Sequence, residues 1–112
     1  KSSIVRVGNL GTKRDYIYVE DIVNILLKIV KRGNMNDETY NVGTGKSTTG
    51  ADIIKIIQKT LEKKIVIKND KKLFRKVERK KLLANIKKIS DEYRWKPRYS
   101  ILNGIKKLIK NR

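Results

Sequence analysis

The stretch Lys13–Val23, which reads KRDYIYVEDIV, constrains the fold most, because a strand pattern passes into a helix pattern with no loop between them. Its first half is aromatic or β-branched, which favours a strand over residues 15–19. From Glu20–Asp21 onward apolar residues recur at helical spacing and predict a helix over residues 21–31. Arg14, just before the strand, is a planar cation suited to binding a phosphate. Taken alone, the stretch is explained more simply by a surface arginine ahead of an ordinary strand–helix unit.

The remainder of the chain alternates strand patterns with helix patterns. Short runs rich in β-branched, apolar or aromatic residues predict strands over residues 4–7, 39–42 and 65–67. Apolar residues at helical spacing predict amphipathic helices over residues 51–62, 86–93 and 101–110. This alternation, without internal repeats, indicates an α/β or α+β arrangement in which each helix needs a sheet or a partner to cover its apolar face.

Several polar residues suit the ends of these helices. Gly33–Asn34 fits a C-terminal cap of the first helix, and Asn36–Asp37 continues the turn. Thr49 and Asp52 have the spacing of a capping box at the second helix. Ser100 is a favoured N-cap residue for the last helix. These residues agree with the helix boundaries that the apolar spacing predicts.

A glycine loop, GTGKS at Gly43–Ser47, is similar to part of a phosphate-binding P-loop. The spacing excludes that assignment, because a P-loop needs another glycine five residues before Gly45, where this chain has Tyr40. The simpler interpretation is a tight turn from a strand into a helix.

The chain has 112 residues and a formal net charge of +18, which invites a nucleic-acid interpretation. Two features oppose it. The 21 lysines outnumber the 8 arginines and are spread along the whole chain, and the few aromatic residues, such as the close pair Tyr16 and Tyr18, are not spaced as a series of stacking platforms. A basic nucleic-acid-binding module therefore stays as the alternative function, and nucleic acid is a disfavoured partner.

The chain contains neither cysteine nor histidine. This excludes disulfides and cysteine-based metal sites and removes the commonest general base, so no metal site is predicted. No apolar run approaches the roughly 18 residues of a membrane span, and a reducing, cytoplasmic compartment fits the composition. Strand-like residues begin by Ile4 without an initiator methionine, so we expect the chain to be part of a longer protein.

Four motifs follow one another along the chain: RDYIYVEDIV at Arg14–Val23, ETYNVGTGKS at Glu38–Ser47, FRKVE at Phe74–Glu78 and WKP at Trp95–Pro97. Together they resemble the C-terminal part of the extended short-chain dehydrogenases/reductases, the NAD-dependent nucleotide-sugar epimerases and dehydratases. Gly8–Asp15 and the FRxxE pattern look most like GDP-mannose 4,6-dehydratases and their partner GDP-4-keto-6-deoxymannose reductases. The YNVGTGKS segment is closer to the reductases and general epimerases.

The resemblance implies a substrate site but no catalytic residues in this chain. Arg14 and Arg75 fall on the two arginines that contact the substrate pyrophosphate, and Glu78 falls on the acidic residue that reaches the nucleoside ribose. Tyr16 and Asn9 would lie near the nucleoside. The implied substrate is a nucleotide sugar, with a GDP-sugar favoured over a UDP- or dTDP-sugar.

The resemblance also implies parts that this sequence does not contain. Residues 1–112 would form the substrate-binding C-terminal region of an α/β, Rossmann-type epimerase or dehydratase, in which the segment 39–42 pairs into the Rossmann sheet. The glycine motif and the Tyr-x-x-x-Lys pair that carry NAD or NADP and proton transfer in the family are absent from this sequence. We therefore expect this chain alone to bind no cofactor and to catalyse nothing, and the full-length protein to be a homo-oligomeric enzyme. A split or degenerate relative that acts as an assembly partner is a further possibility.

This chain departs from the family pattern at three positions. Lys76 stands where the family usually has proline, Asn85 where it has aspartate, and Arg94 where it has glycine before the tryptophan. These positions look structural, so they bear on local loop shape more than on function.

Overall fold

The computed structural model describes residues 2–33 and 38–112, and these form a small α/β arrangement. Strand β1 (Ser2–Val7) pairs in parallel with strand β4 (Lys64–Asn69), with Ile4 opposite Val66. Two shorter strands, β2 (Lys13–Arg14) and β3 (Thr48–Thr49), pair antiparallel. The predicted strands over residues 4–7 and 65–67 are therefore confirmed, and both extend further than the apolar runs alone indicated.

Four α-helices connect these strands or follow them, and all four were predicted to within two residues at each end. They are α1 (Val19–Arg32), α2 (Gly50–Leu61), α3 (Lys87–Tyr93) and α4 (Ile101–Lys110). A 3₁₀ turn at Lys71–Leu73 lies after β4.

The predicted caps are present where the structure describes them. Gly33 ends α1 with a left-handed φ of 70°. The amide of Asp52 donates to Thr49 Oγ1 over 3.1 Å at the start of α2, and the amide of Asn103 donates to Ser100 Oγ over 3.1 Å at the start of α4. Asn34 and the turn at 36–37 lie outside the described residues.

The predicted strand over residues 15–19 is wrong. The strand ladder stops at Arg14, residues 15–18 are in no strand, and Val19 is already the first residue of α1. The β-branched and aromatic side chains serve tertiary packing instead, because Ile17 contacts the core and the Tyr18 ring lies 4.7 Å from that of Tyr99. β-Propensity reports a half-buried surface, and an extended connector can provide that without a ladder.

The predicted strand over residues 39–42 is also wrong for this chain. Its apolar side chains, Tyr40 and Val42, pack against the core as a strand's inner face would. A strand also needs a hydrogen-bonded neighbour, and no described residue supplies one to this segment.

The core lies where α1, α3 and the connector between α3 and α4 meet. Ile25 and Ile89 are fully buried and Trp95 is 3% exposed. The partly buried hydrophobic residues around them are Ile17, Ile29, Tyr40, Val42, Ile86 and Tyr93. This core is small for the helices that surround it.

Helix α1 carries a second apolar face that the described residues leave open. Five of its residues recur at helical spacing and are each 47–67% exposed, namely Val19, Val23, Leu26, Leu27 and Val30. We refer to these five residues as the α1 stripe. Contiguous exposed apolar surface of this kind marks a contact site for other protein surface.

Among the described helices, none combines the length and the apolar character that crossing a membrane requires.

Candidate functional site

Arg14 is positioned by backbone hydrogen bonds on both edges of β2. On one side β2 pairs with β3. On the other side the amide of Lys13 donates to Lys80 O over 2.7 Å, and the amide of Leu82 donates to Lys13 O over 2.9 Å. Because both flanks of this two-residue strand are hydrogen-bonded, the start of the Arg14 side chain is fixed beside the segment that carries Arg75 and Glu78.

The structure brings Arg14, Arg75 and Glu78 together around the Glu78 carboxylate. Arg14 Nη2 lies 2.8 Å from Glu78 Oε1, and Arg14 Nη1 donates to the carbonyl of Arg79 over 2.9 Å. Arg75 Nε lies 4.0 Å from Glu78 Oε2. Two guanidinium groups from segments far apart in the sequence therefore face one carboxylate. We call this group of three residues the arginine pair and its carboxylate.

The two arginines differ in how firmly they are held. The side chains of Arg14 and Glu78 are each 21% exposed, whereas that of Arg75 is 79% exposed. Arg14 donates three hydrogen bonds, which leaves two of the five guanidinium N–H groups for a ligand. Among the described residues Arg75 makes only the long contact to Glu78, so its head group is free to turn toward an anion. The arrangement suits a fixed cation and a mobile one acting on the same charged group.

Asn9 and Tyr16 face different parts of the surface. Asn9 lines a cavity of about 660 Å³ that Phe74, the neighbour of Arg75, also lines. Tyr16 lines a cavity of about 600 Å³ between the glycine loop and the start of α4. None of the three residues of the arginine pair and its carboxylate lines either cavity. The structure therefore places Asn9 near Phe74, the neighbour of Arg75, and brings neither Asn9 nor Tyr16 into contact with the arginines among the described residues.

Asp15 organises the glycine loop, a role that sequence reasoning missed. Its carboxylate accepts from the amides of Thr44 and Gly45, each over 2.9 Å, and from the Thr44 hydroxyl over 2.5 Å. The amide of Ala84 is a more distant donor at 3.4 Å. Because Asp15 already occupies these loop amides, the loop is an internal brace and does not present them to a phosphate. No local signal indicates this contact, since the partners lie 29 and 30 residues away.

Replacing Gly43 by alanine is expected to lower the free energy of unfolding by about 2 kcal/mol, because the added methyl group overpacks a closed site. A Cβ at Gly43 would lie 2.6 Å from Asp15 Oδ2 and 2.7 Å from Ala84 Cβ. Urea denaturation measures the change. Gly33→Ala is the control, since nothing lies within 4 Å of its Cβ position and only its φ of 70° opposes the substitution. A smaller loss for Gly43→Ala than for Gly33→Ala would contradict the overpacking.

The two acidic residues at the start of α1 tie that helix to α4. Asp21 is fully buried, and its carboxylate accepts from the amides of Arg98 and Tyr99 over 2.9 and 3.1 Å. Glu20 accepts from Lys107 Nζ over 2.8 Å and from the Tyr99 hydroxyl over 2.7 Å. The hydrogen bond from Lys107, followed by that from Tyr99, lowers the pKa of Glu20. The sequence placed both carboxylates in a first helical turn but gave no sign of these partners.

Comparison with known proteins agrees with this architecture. A sequence model of the family described as GDP-mannose 4,6 dehydratase matches residues 1–108. The dTDP-4-dehydro-6-deoxyglucose reductase of Escherichia coli is 30% identical over 105 residues, which cover 94% of this chain and 32% of that protein. The chain therefore belongs to the GDP-mannose 4,6 dehydratase family, within the nucleotide-sugar epimerases, dehydratases and reductases of the extended short-chain dehydrogenase/reductase type.

Two solved structures share the fold at 20% sequence identity. RMD from Pseudomonas aeruginosa, complexed with NADPH, superposes with a TM-score of 0.86 over 96% of this chain and 35% of that one. The dTDP-glucose 4,6-dehydratase of Bacillus anthracis, in complex with NAD, superposes with a TM-score of 0.79 over 96% of this chain and 34% of that one. The chain thus spans about a third of the length of the relatives that it matches.

Proposed function

We propose that this chain is the nucleotide-sugar-binding, C-terminal portion of an NAD(P)-dependent dehydratase, epimerase or reductase. In this proposal Arg14 and Arg75 bind the diphosphate of the substrate from two sides. The observation that carries it is their convergence on Glu78 from segments that are sixty-one residues apart.

The chemistry of a diphosphate matches this geometry. A diphosphate within a nucleotide sugar carries two negative charges, and guanidinium groups bind such oxygens through short, charge-assisted hydrogen bonds. Arg14 offers two unused N–H groups from a fixed position, and the exposed Arg75 can move onto the second phosphate. Glu78 Oε2, 4.0 Å from Arg75, is then available to accept from the ribose hydroxyls.

The cavity beside Arg75 is suited to the nucleoside. Its volume of about 660 Å³ lies within the range of small-molecule sites, and Asn9 and the half-exposed Phe74 line it. An aromatic ring and an amide can stack on and hydrogen-bond to a base. We favour a GDP-sugar, supported by the match to the GDP-mannose 4,6 dehydratase family. Tyr16, in the other cavity, would contact a different part of the same substrate.

The cofactor belongs to a part of the protein that this chain does not include. The α1 stripe and the segment 39–42, which pairs with none of the described strands, both offer surface that a neighbouring sheet would cover, and the related proteins are about three times as long. We propose that a Rossmann-type portion with bound NAD or NADP packs there and supplies the residues for hydride and proton transfer. The full-length protein would be the homo-oligomeric enzyme, and this chain would hold the substrate.

Titration of the full-length protein with GDP-mannose, UDP-glucose and dTDP-glucose tests this function. We expect saturable binding, tightest for GDP-mannose, that weakens in both Arg14→Ala and Arg75→Ala. Arg32→Ala is the matched control, because it removes the same charge from a residue that stacks on Tyr93 at the end of α1. Absence of binding to all three compounds, or equal weakening in all three variants, would refute the proposal.

A further inference from the structure

We propose that a second cleft, at the junction of α1, α3 and the α3–α4 connector, binds a compact oligophosphate group. The cleft has a volume of about 310 Å³, and Trp95 lies in its wall. Five cationic side chains line it, and no acidic residue does. They are Lys28, Lys31, Arg94, Lys96 and Arg98. We refer to it as the basic cleft.

The basic cleft is distinguished by five cations around one small volume without a neutralising carboxylate. Some cations elsewhere pair with carboxylates, as in Arg14–Glu78, Lys88–Glu38 and Lys107–Glu20, whereas many surface lysines stand apart from one another. Within residues 2–33 and 38–112, none of the five cleft side chains forms an ion pair or donates a hydrogen bond. Five like charges around one small volume repel one another, and an anion with several charges relieves this repulsion.

Helix dipoles explain only part of this charge. Lys31 lies in the last turn of α1, and Arg94 follows the last turn of α3, where cations are favoured. Lys28 lies before the last turn of α1, and Lys96 and Arg98 lie beyond the end of α3. Helix dipoles therefore do not account for these three cations, and a bound anion would neutralise them.

Arg94 stands in a conformation that favours glycine. Its φ of 47° is left-handed, in the backbone region that glycine adopts without strain. An arginine there costs on the order of 1 kcal/mol compared with glycine. The Arg94 side chain lines the cleft, where its guanidinium group can bind an anion.

The walls of the basic cleft are fixed in advance. Trp95 is almost fully buried, and its amide donates to the carbonyl of Ser90 over 3.3 Å. The buried Asp21 carboxylate holds the backbone amides of Arg98 and Tyr99. Only the ends of the long side chains need to be ordered when an anion binds, which reduces the entropic cost of binding.

The volume and the charge together define the ligand class. About 310 Å³ is at the lower end of small-molecule sites, which excludes a deeply bound nucleotide sugar. A diphosphate or triphosphate group concentrates several negative charges in a small volume. The group can come from an inorganic oligophosphate or from the phosphate end of a nucleotide, so both are included in the test.

Trp95 is the only tryptophan of this chain, so its fluorescence reports on the basic cleft. We expect a saturable change in Trp95 emission when inorganic tripolyphosphate is added at physiological salt. The variant Lys28→Gln/Lys96→Gln should weaken this binding about tenfold, because each lysine supplies a charge-assisted contact. The control Lys55→Gln/Lys59→Gln removes the same charge from the exposed face of α2 and should change the affinity less than about twofold, as expected for distant screened charges. Arg75→Ala should leave the signal unchanged, which separates this site from the arginine pair.

A parallel titration with a nucleoside triphosphate distinguishes the two sources of the ligand. Equal affinity for both compounds indicates that the phosphates alone are bound, and tighter binding of the nucleotide indicates that the base contributes. No saturable change with either compound would overturn the proposal. Equal weakening in the two double variants would also overturn it, because binding would then follow net charge. Tighter binding of duplex DNA than of tripolyphosphate, lost in Lys28→Gln/Lys96→Gln, would assign the surface to nucleic acid instead.

Discussion

Replacing Asp21 by alanine is expected to lower the free energy of unfolding by about 3 kcal/mol, because two buried amides lose a charged acceptor. The side chain of Asp21 is 0% exposed, so water does not reach it. Its two oxygens accept hydrogen bonds from the backbone amides of Arg98 and Tyr99. The alanine variant would leave both amides without a partner beside the core residue Trp95. Urea denaturation followed by circular dichroism measures the loss.

Two further variants make this prediction specific. Asp21→Asn retains one acceptor oxygen, so its free energy of unfolding should fall less than that of Asp21→Ala. Asp91→Ala removes a carboxylate of which 64% is exposed and whose partner is the exposed Lys87, and it should lose less than about 1 kcal/mol. If Asp21→Ala and Asp91→Ala are equally stable, Asp21 does not anchor the connector to α4.

The second large effect separates the two arginines. Arg14→Ala should lower both the affinity for a nucleotide sugar and the stability of the protein, the latter by about 1–2 kcal/mol, because it leaves Glu78 and the carbonyl of Arg79 without their donor. Arg75→Ala should lower the affinity to a similar extent, about tenfold or more, through loss of a charge-assisted contact. Its stability should change by less than about 0.5 kcal/mol, because it is mostly exposed and its contact to Glu78 is long.

Calorimetric titration and urea denaturation of the same preparations give both quantities. The pattern to look for is one variant impaired in binding alone and one impaired in binding and stability. If Arg75→Ala binds the nucleotide sugar as well as the unmodified protein does, Arg75 does not contact the diphosphate, and Arg14 is the single arginine of the proposed pair that could bind it. If Arg14→Ala is as stable as Arg75→Ala, the contacts of Arg14 with Glu78 and Arg79 contribute nothing to folding.

The helices could be predicted from the sequence because their signals are local. Apolar spacing and caps such as Thr49, Ser100 and Gly33 lie within a few residues of the positions that they determine. The predictions of strands over residues 15–19 and 39–42 were wrong because strand formation depends on contacts that are distant in the sequence. A strand exists only when another segment pairs with it, and the side chains of Ile17 and Tyr40 pack equally well without one.

In the candidate site, too, some features could be predicted from the sequence and others could not. The binding roles of Arg14, Arg75 and Glu78 were inferred from the motifs. The structure places the three side chains together, and their binding roles stay proposals. The contacts of Asp15 and Asp21 were not predicted, since each carboxylate reaches amides 29 to 78 residues away. In the sequence, Asp15 and Asp21 are visible only as acidic residues beside an aromatic or β-branched stretch, and this pattern does not indicate which amides they bind.

The most direct test of the proposed diphosphate site compares GDP with guanosine in the full-length protein, because the two ligands differ only in the phosphates. Arg75→Ala should bind GDP about tenfold or more weakly than the unmodified protein, as expected for a lost charge-assisted contact, and guanosine within about twofold. Equal weakening for the two ligands, or no weakening for GDP, would contradict the binding of a diphosphate by Arg14 and Arg75.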